Sequence, residues 1–224
     1  MNCTAIIVAA GSSRRMGFDK LAATMHGKPI LAHTLQTFLD CDAITEIVLV
    51  APKDRLELLK GIELTKPFHQ VDGGSERHLS VANGLKAVSP SSGLIAVHDA
   101  ARPLVSQGDI LATIAAAQKH GAASLARRVT ETLKRCDENN FTQSAVSREN
   151  LWFIETPQIF EADLLQSAYQ HVLNNGLLVT DETSALEAFE KPVRLIPSSA
   201  PNPKITTQAD LAELDSTFAS PTQN

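Results

Sequence analysis

Aromatic side chains make up only 4% of the 224 residues, with one Trp and one Tyr. That shortage disfavours a single-strand nucleic-acid binder built on stacking platforms. Basic residues are also the minority, 20 Lys and Arg against 25 Asp and Glu, and the formal charge of -5 argues against a surface made throughout to grip a polyanion. Apolar runs never exceed strand length, and with 43% hydrophobic and 20% charged residues neither a membrane protein nor a disordered polymer fits. Cysteine is scarce as well. Cys3, Cys41 and Cys136 are odd in number, far apart and in no C-x-x-C pair, which excludes a zinc knuckle or disulfide frame and suits buried thiols in a reducing compartment. The start of the chain lacks a basic n-region, and its apolar run is too short for a signal peptide, so a cytoplasmic protein is expected.

What is present is an alternation of short β-branched runs with helix-period segments. Ala5 to Ala9, Ile47 to Val50, His69 to Asp72 and Leu94 to His98 read as strands. Pro29 opens a helix carrying Leu31, Leu35, Phe38 and Leu39, Ser75 caps a second with Leu79, Ala82 and Leu85, and Ser106 caps a third that stops at Gly121. This rhythm predicts an α/β, Rossmann-like doubly wound and mostly parallel sheet, with ligands at the carboxyl ends of its strands. Residues 129–150 break the rhythm around the turn signal Asp137 to Asn140 and predict a protruding β-arm. Trp152 to Ile154 then resumes as a strand, Glu161 to Val172 and Glu182 to Phe189 as helices, and Val193 to Ile196 as a strand. Thr207 to Asp210 opens a last helix, and residues 216–224 read as a loose tail of the single domain 1–224.

Chemistry concentrates at the turns. Ala9-Ala10-Gly11-Ser12-Ser13-Arg14-Arg15 with Lys20 offers backbone N–H groups and fixed positive charge to anionic oxygens, yet it is neither a Walker A loop nor a dinucleotide G-x-G-x-x-G. Asp72-Gly73-Gly74 is a second Gly-rich turn, through which a flat ligand could approach the backbone ahead of a helix N-terminus. Asp99, after the Leu94 strand, is either a Mg²⁺ ligand or a turn-shaping partner of Arg102. His98 reads as a packed histidine. Thr180-Asp181-Glu182 reads as a helix cap whose acidic residue could also support an active-site lysine.

Taken in order, Ala9-Ala-Gly-x-x-x-Arg15-Met with Lys20, Asp72-Gly-Gly-x-x-Arg77-x-x-Ser80, His98-Asp-Ala-Ala-Arg-Pro103, Thr156-Pro-Gln158, Thr180-Asp-Glu182 and Lys204-Ile205 form a recognisable set. The chain resembles the 2-C-methyl-D-erythritol 4-phosphate cytidylyltransferase family from Ala5 to about Leu214. The resemblance implies a fold of the nucleotide-diphospho-sugar transferase type, a homodimer formed through the arm, and Mg²⁺-dependent reaction of CTP with methylerythritol phosphate. It also implies roles. Arg15 and Lys20 would stabilise charge on the CTP phosphates. Ala9, Ala10, Gly11, Gly74, Ser80, Asp99 and Ala100 would line the CTP site, with Asp99 at the metal. Thr132, Arg148 and Thr156 would hold the acceptor phosphate, and Lys204 would position it. Ser75 stands where the family has an acidic residue, and Arg128-Val-Thr-Glu131 replaces its usual Pro-x-x-Asp before Thr132.

Overall fold

A computed structural model of the chain describes residues 2–11 and 19–219. In chain order the elements are β1 (Cys3–Val8), the two-residue strands β2 (Thr24–Met25) and β3 (Lys28–Pro29), α1 (Ile30–Leu39), β4 (Ile44–Val50), a 3-10 turn (Lys53–Leu59), β5 (Phe68–Val71) and α2 (Arg77–Leu85). There follow β6 (Leu94–Asp99), α3 (Gln107–His120), β7 (Ala122–Arg128), β8 (Leu133–Cys136), β9 (Thr142–Val146), β10 (Trp152–Glu161), α4 (Ala162–Asn174), α5 (Glu182–Ala188), β11 (Arg194–Pro197) and α6 (Gln208–Ala219).

The main sheet runs β11-β7-β10-β6-β1-β4-β5. Strands β6, β1, β4 and β5 are parallel, and β11 is parallel to β7, whereas β10 lies antiparallel between β6 and β7. The strands read as continuous apolar runs because both faces are covered. Ala5, Ile7, Ile47, Leu49, Leu94 and Ala96 join one core with Leu31, Leu35 and Phe38 of α1 and Ile110 and Ile114 of α3. The alternate residues Ile6, Val48, Val50, Ile95 and Val97 join the other core, with α2, α4 and α5. Each fully buried Ile or Leu here contributes roughly 1.5–3 kcal/mol.

Local chemistry sets the boundaries. Ser106 Oγ accepts the Asp109 N–H at 3.0 Å at the start of α3, and Gly121, at φ 81°, ends it in the left-handed conformation. Thr207 and Asp210 cap α6 reciprocally. Three expectations need correction. Ser75 does not cap α2, whose N-cap is Glu76 with no side-chain bond. Residues 216–219 are not a loose tail but continue α6. The strand expected at Trp152 to Ile154 runs on to Glu161, because Gln158 to Phe160 pair with both β6 and β7. The β2–β3 hairpin had no signal, being two residues on each side.

The arm is a separate two-stranded sheet in which Leu133 to Cys136 faces Thr142 to Val146. Asp137 Oδ1 closes its turn by accepting the N–H groups of Asn139 and Phe141 at 3.0 and 2.9 Å. At its root the Arg127 and Arg128 guanidinium groups lie over the Phe153 and Trp152 rings, 4.1 and 4.5 Å from the centroids. Among the described residues no helix is long and apolar enough to cross a membrane.

Candidate active site

Strands β1, β4 and β6 end side by side, and the loops that leave their carboxyl ends are tied to one another. Ala9 N–H donates to Val50 O at 2.8 Å, and Ala100 N–H donates to Val8 O at 3.1 Å. Thr34, from α1, fixes the Ala100 carbonyl at 2.8 Å. The double glycine is explained by proximity. A Cβ on Gly73 would stand 2.2 Å from the Cβ of Ala10, so only glycine lets the second turn lie against the first, and one on Gly74 would stand 2.5 Å from the Cβ of Leu79, so only glycine lets the turn lie against α2. Gly74 N–H donates to Ser80 Oγ at 3.0 Å, which places Ser80 behind the turn as a brace.

The shoulders of the first loop, Gly11 and Asp19, are held by one side chain that the sequence reading missed. The buried Arg55 donates to Gly11 O at 3.1 Å and to Asp19 Oδ1 at 2.9 Å. Arg15 lies outside the described residues. Lys20 does not point away from the crevice, since its ammonium donates to Ile205 O at 2.9 Å, beside Lys204.

Asp99 is the centre of the arrangement. Its Oδ2 meets Lys204 Nζ at 2.7 Å and Arg102 Nε at 4.0 Å, while Oδ1 meets Arg77 Nη2 at 3.2 Å and Nε at 3.3 Å. The turn-shaping pair with Arg102 is therefore its weakest contact. Burial alone would raise the Asp99 pKa, but Arg77, Lys204 and Arg102 outweigh it and hold the carboxyl well below the usual carboxylate range. Arg77, Arg102 and Lys204 thus surround one buried carboxylate. His98 is packed, as expected, with no solvent exposure. Its ring is 4.8 Å from Phe38, and its nitrogens bond Thr156 Oγ1 and Arg102 O. Burial pushes its pKa down to about 4, so the imidazole is neutral.

Arg77 was legible only as a letter in the second motif, and Thr180-Asp181-Glu182 was read as a helix cap whose acidic residue could also support a lysine. Glu182, with no exposure, supports an arginine: it binds the Arg77 fork at 2.7 and 3.1 Å and accepts the Tyr169 hydroxyl at 2.9 Å. Its neighbour Asp181 caps α5 by accepting the Ser184 N–H at 3.0 Å.

Thr156 is an internal residue in this structure. Its hydroxyl, read as a ligand of the acceptor phosphate, is 97% withdrawn from solvent with the rest of the residue, which is 3% exposed. That hydroxyl accepts the Asp99 N–H at 3.1 Å and bonds His98 Nδ1 at 3.1 Å. Gln158 is equally internal, its Oε1 accepting the Glu182 and Thr183 N–H groups at 3.0 Å. The peptide between Thr156 and Pro157 is cis. Thr132 and Arg148 are exposed on the arm, where Arg148 donates to Thr130 O. Within this chain and among the described residues, no hydrogen bond or ion pair brings either of them to Asp99 or Lys204. Ala9, Ala10, Gly11, Gly74, Ser80, Asp99, Ala100 and Lys204 do converge on the one edge.

Comparison with known proteins leads to the same place. The family model described as 2-C-methyl-D-erythritol 4-phosphate cytidylyltransferase matches residues 3–219. Proteins of that name from Caldanaerobacter subterraneus subsp. tengcongensis and Alkaliphilus oremlandii are 38% and 40% identical, over 94% and 92% of this chain and 96% and 90% of theirs. A solved 4-diphosphocytidyl-2C-methyl-D-erythritol synthase from Anaerococcus prevotii superposes with TM-score 0.85 at 32% identity, covering 97% of this chain and 96% of that one. The cytidylyltransferase structure from Francisella tularensis gives 0.84 at 30% identity, covering 98% and 100%. With the doubly wound sheet, the paired Gly-rich turns and the family match over nearly its whole length, the chain belongs to the 2-C-methyl-D-erythritol 4-phosphate cytidylyltransferase family.

Proposed function

We propose that the protein transfers CMP from CTP to 2-C-methyl-D-erythritol 4-phosphate, giving 4-diphosphocytidyl-2-C-methyl-D-erythritol and pyrophosphate, a step of isoprenoid precursor synthesis. The observation that carries the reading is the Asp99 carboxylate ringed by Arg77, Arg102 and Lys204 at the carboxyl edge of the sheet, with Lys20 tied to the residue after Lys204.

The reaction needs little from the protein in the way of proton transfer. A phosphate monoester is already anionic at neutral pH, so its oxygen attacks the CTP α-phosphorus directly while the bond to the β-phosphate oxygen breaks and pyrophosphate leaves. Two polyanions must be brought together, and that is an electrostatic task. Arg15 and Lys20 offset charge on the triphosphate, and Lys204 spans the acceptor phosphate and the α-phosphate. Ala9, Ala10, Gly11, Gly74 and Ala100 present backbone to the nucleotide, with Ser80 holding Gly74 in place. Thr132 and Arg148 complete the acceptor site through the arm, by which two chains form a homodimer.

Asp99 fits a Mg²⁺ site of the shared type. Among the described residues no group of three or more His, Cys, Asp or Glu could cage a cation, and Mg²⁺ commonly takes one or two carboxylates with substrate phosphates and water. Asp99 would be the residue that holds the ion, and the ion would neutralise triphosphate charge. No membrane or nucleic-acid partner is invoked, and a cytoplasmic location suits the free thiols.

An acceptor panel tests the reading. Pyrophosphate release from CTP is expected only with methylerythritol phosphate and a divalent cation together. A far better rate with ribitol 5-phosphate would overturn the substrate and leave the transferase class standing.

A further inference from the structure

Thr156 makes two bonds that lead in different directions. Its hydroxyl oxygen accepts the Asp99 N–H at 3.1 Å, and its carbonyl accepts Asn202 Nδ2 at 2.9 Å. Asn202 stands two residues before Lys204 and is 2% exposed. Its amide also reaches Glu155 Oε2 at 3.4 Å, and its own carbonyl receives Arg102 Nη1 at 2.6 Å. The residues around it, 198–206, adopt no helix or strand.

A lysine has four rotatable carbons and a point charge, so on an irregular segment nothing intrinsic keeps it at one place. Yet Lys204 Nζ sits 2.7 Å from Asp99 Oδ2. Both members of that pair are referred to the same residue: Asp99 through the Thr156 hydroxyl, and the Lys204 segment through the Thr156 carbonyl by way of Asn202. Pro203 adds to this by confining Asn202 to extended backbone.

The residue type matters. Asn supplies two N–H donors on a short stem. Asp in its place would set a second carboxylate against Glu155 and a carbonyl, and Ala would supply no donor. Asn202 Oδ1 is buried without a partner, which disfavours folding and argues that the side chain is kept for where it holds the segment. The motif read from the sequence, Lys204-Ile205, begins two residues later.

We infer that Asn202 is a positioning residue that fixes Lys204 relative to Asp99, with Thr156 as the common reference for both. The inference rests on the cytidylyl-transfer reading for its kinetic arm only.

The test is a double-mutant cycle with a structural readout. Asn202→Ala is expected to lower kcat/KM for the acceptor by about 10- to 100-fold, the cost of misplacing one catalytic charge. In a Lys204→Ala background the same change should cost no more than about twofold, because a residue that acts through Lys204 has little left to lose once Lys204 is gone. An equal loss in both backgrounds would show a general structural role and overturn the inference, and so would an unchanged rate. Should Asn202→Ala fail to fold, Asn202→Ser keeps a small donor in the same space and enters the same cycle. In a crystal structure of the folded variant, Lys204 Nζ is expected beyond ~4 Å from Asp99, outside ion-pair range. Retention of the pair there overturns the inference. If the panel returned another polyol phosphate, the cycle would be run with that acceptor, and the crystal distance would be unaffected.

Discussion

Arg77 and Glu182 are 105 residues apart in sequence and share a two-pronged ion pair, Nη1 to Oε1 at 2.7 Å and Nη2 to Oε2 at 3.1 Å. The same guanidinium also reaches Asp99, so one planar fork joins α2, β6 and α5. Glu182 is wholly buried, and removing its partner leaves an uncompensated charge. Arg77→Ala should therefore cost about 3–5 kcal/mol in urea unfolding. Arg77→Met with Glu182→Leu should recover most of that stability, since apolar replacement of both partners is often neutral. Turnover should stay low in the double variant, because Asp99 has lost its Arg77 contact. Recovery of both together would show that the fork serves stability alone.

Gly73→Ala forces its Cβ to within 2.2 Å of Ala10, a contact no side chain can hold. A loss of about 1–3 kcal/mol in thermal or urea unfolding is expected, as for other overpacked sites, together with weaker CTP binding by calorimetry. Ala10→Gly removes the opposing methyl. Combined with Gly73→Ala it should restore CTP binding in large part, and failure to do so would place the constraint elsewhere.

Lys20→Ala removes a charge from the loop shoulder and one bond to the Ile205 carbonyl. At saturating CTP the expected loss is on the order of 10²-fold in kcat, as for a preorganised electrostatic group. The melting temperature should fall by only about 2–4 °C, because a hydrogen bond such as that to Ile205 O contributes about 1 kcal/mol net. Wild-type turnover would remove Lys20 from the transition state.

Burial raises the pKa of Glu155 above that of a free carboxyl, against the opposing pull of Arg102 and the Asn202 amide. The sign follows from linkage. With the folded pKa above the unfolded one, the folded state holds the proton longer, so the contribution to stability is full below the unfolded pKa of about 4.3 and is lost as pH rises through the folded value. Glu155→Gln has no proton to lose. Its melting temperature relative to wild type should climb as pH is raised from the unfolded pKa and level off above the folded one. A flat difference across that window would contradict the shift.

Phe141 is 72% exposed at the tip of the arm, beside strands with hardly a buried residue. A paired arm explains such a residue better than a solvated one. Sedimentation should give a dimer for the wild type and a shift toward monomer for Phe141→Asp, with the circular dichroism of the main sheet retained. A monomeric wild type would remove the arm from the assembly.

The alternation of strand and helix was readable because each parallel strand is apolar on both faces, as Ala5 to Val8 and Leu94 to Val97 are. The Gly-rich turns were readable because glycine there answers to a specific clash. Arg55 and Glu182 were not. Each acts on a partner 36 or more positions away, and a side chain bridging two segments leaves no periodic trace along either. The surroundings of Thr156 were hidden for a related reason. Its motif records a chemical type, whereas burial, which decides whether a hydroxyl faces ligand or backbone, depends on the β10 pairing that surrounds it.

The antiparallel insertion of β10 has a consequence for how the molecule is assembled in time. Residues 3–99 contain the whole parallel half of the sheet, β6, β1, β4 and β5, with both Gly-rich turns and Asp99. Thr156, Glu182 and Lys204 emerge later from the ribosome, and their contacts with Asp99 and Arg77 close loops of many tens of residues. Until then Asp99 and Arg77 stand together without the groups that balance them. The early half is thus a charged, half-finished sheet whose β6 edge is open to pairing, and β10 is the strand that seals it.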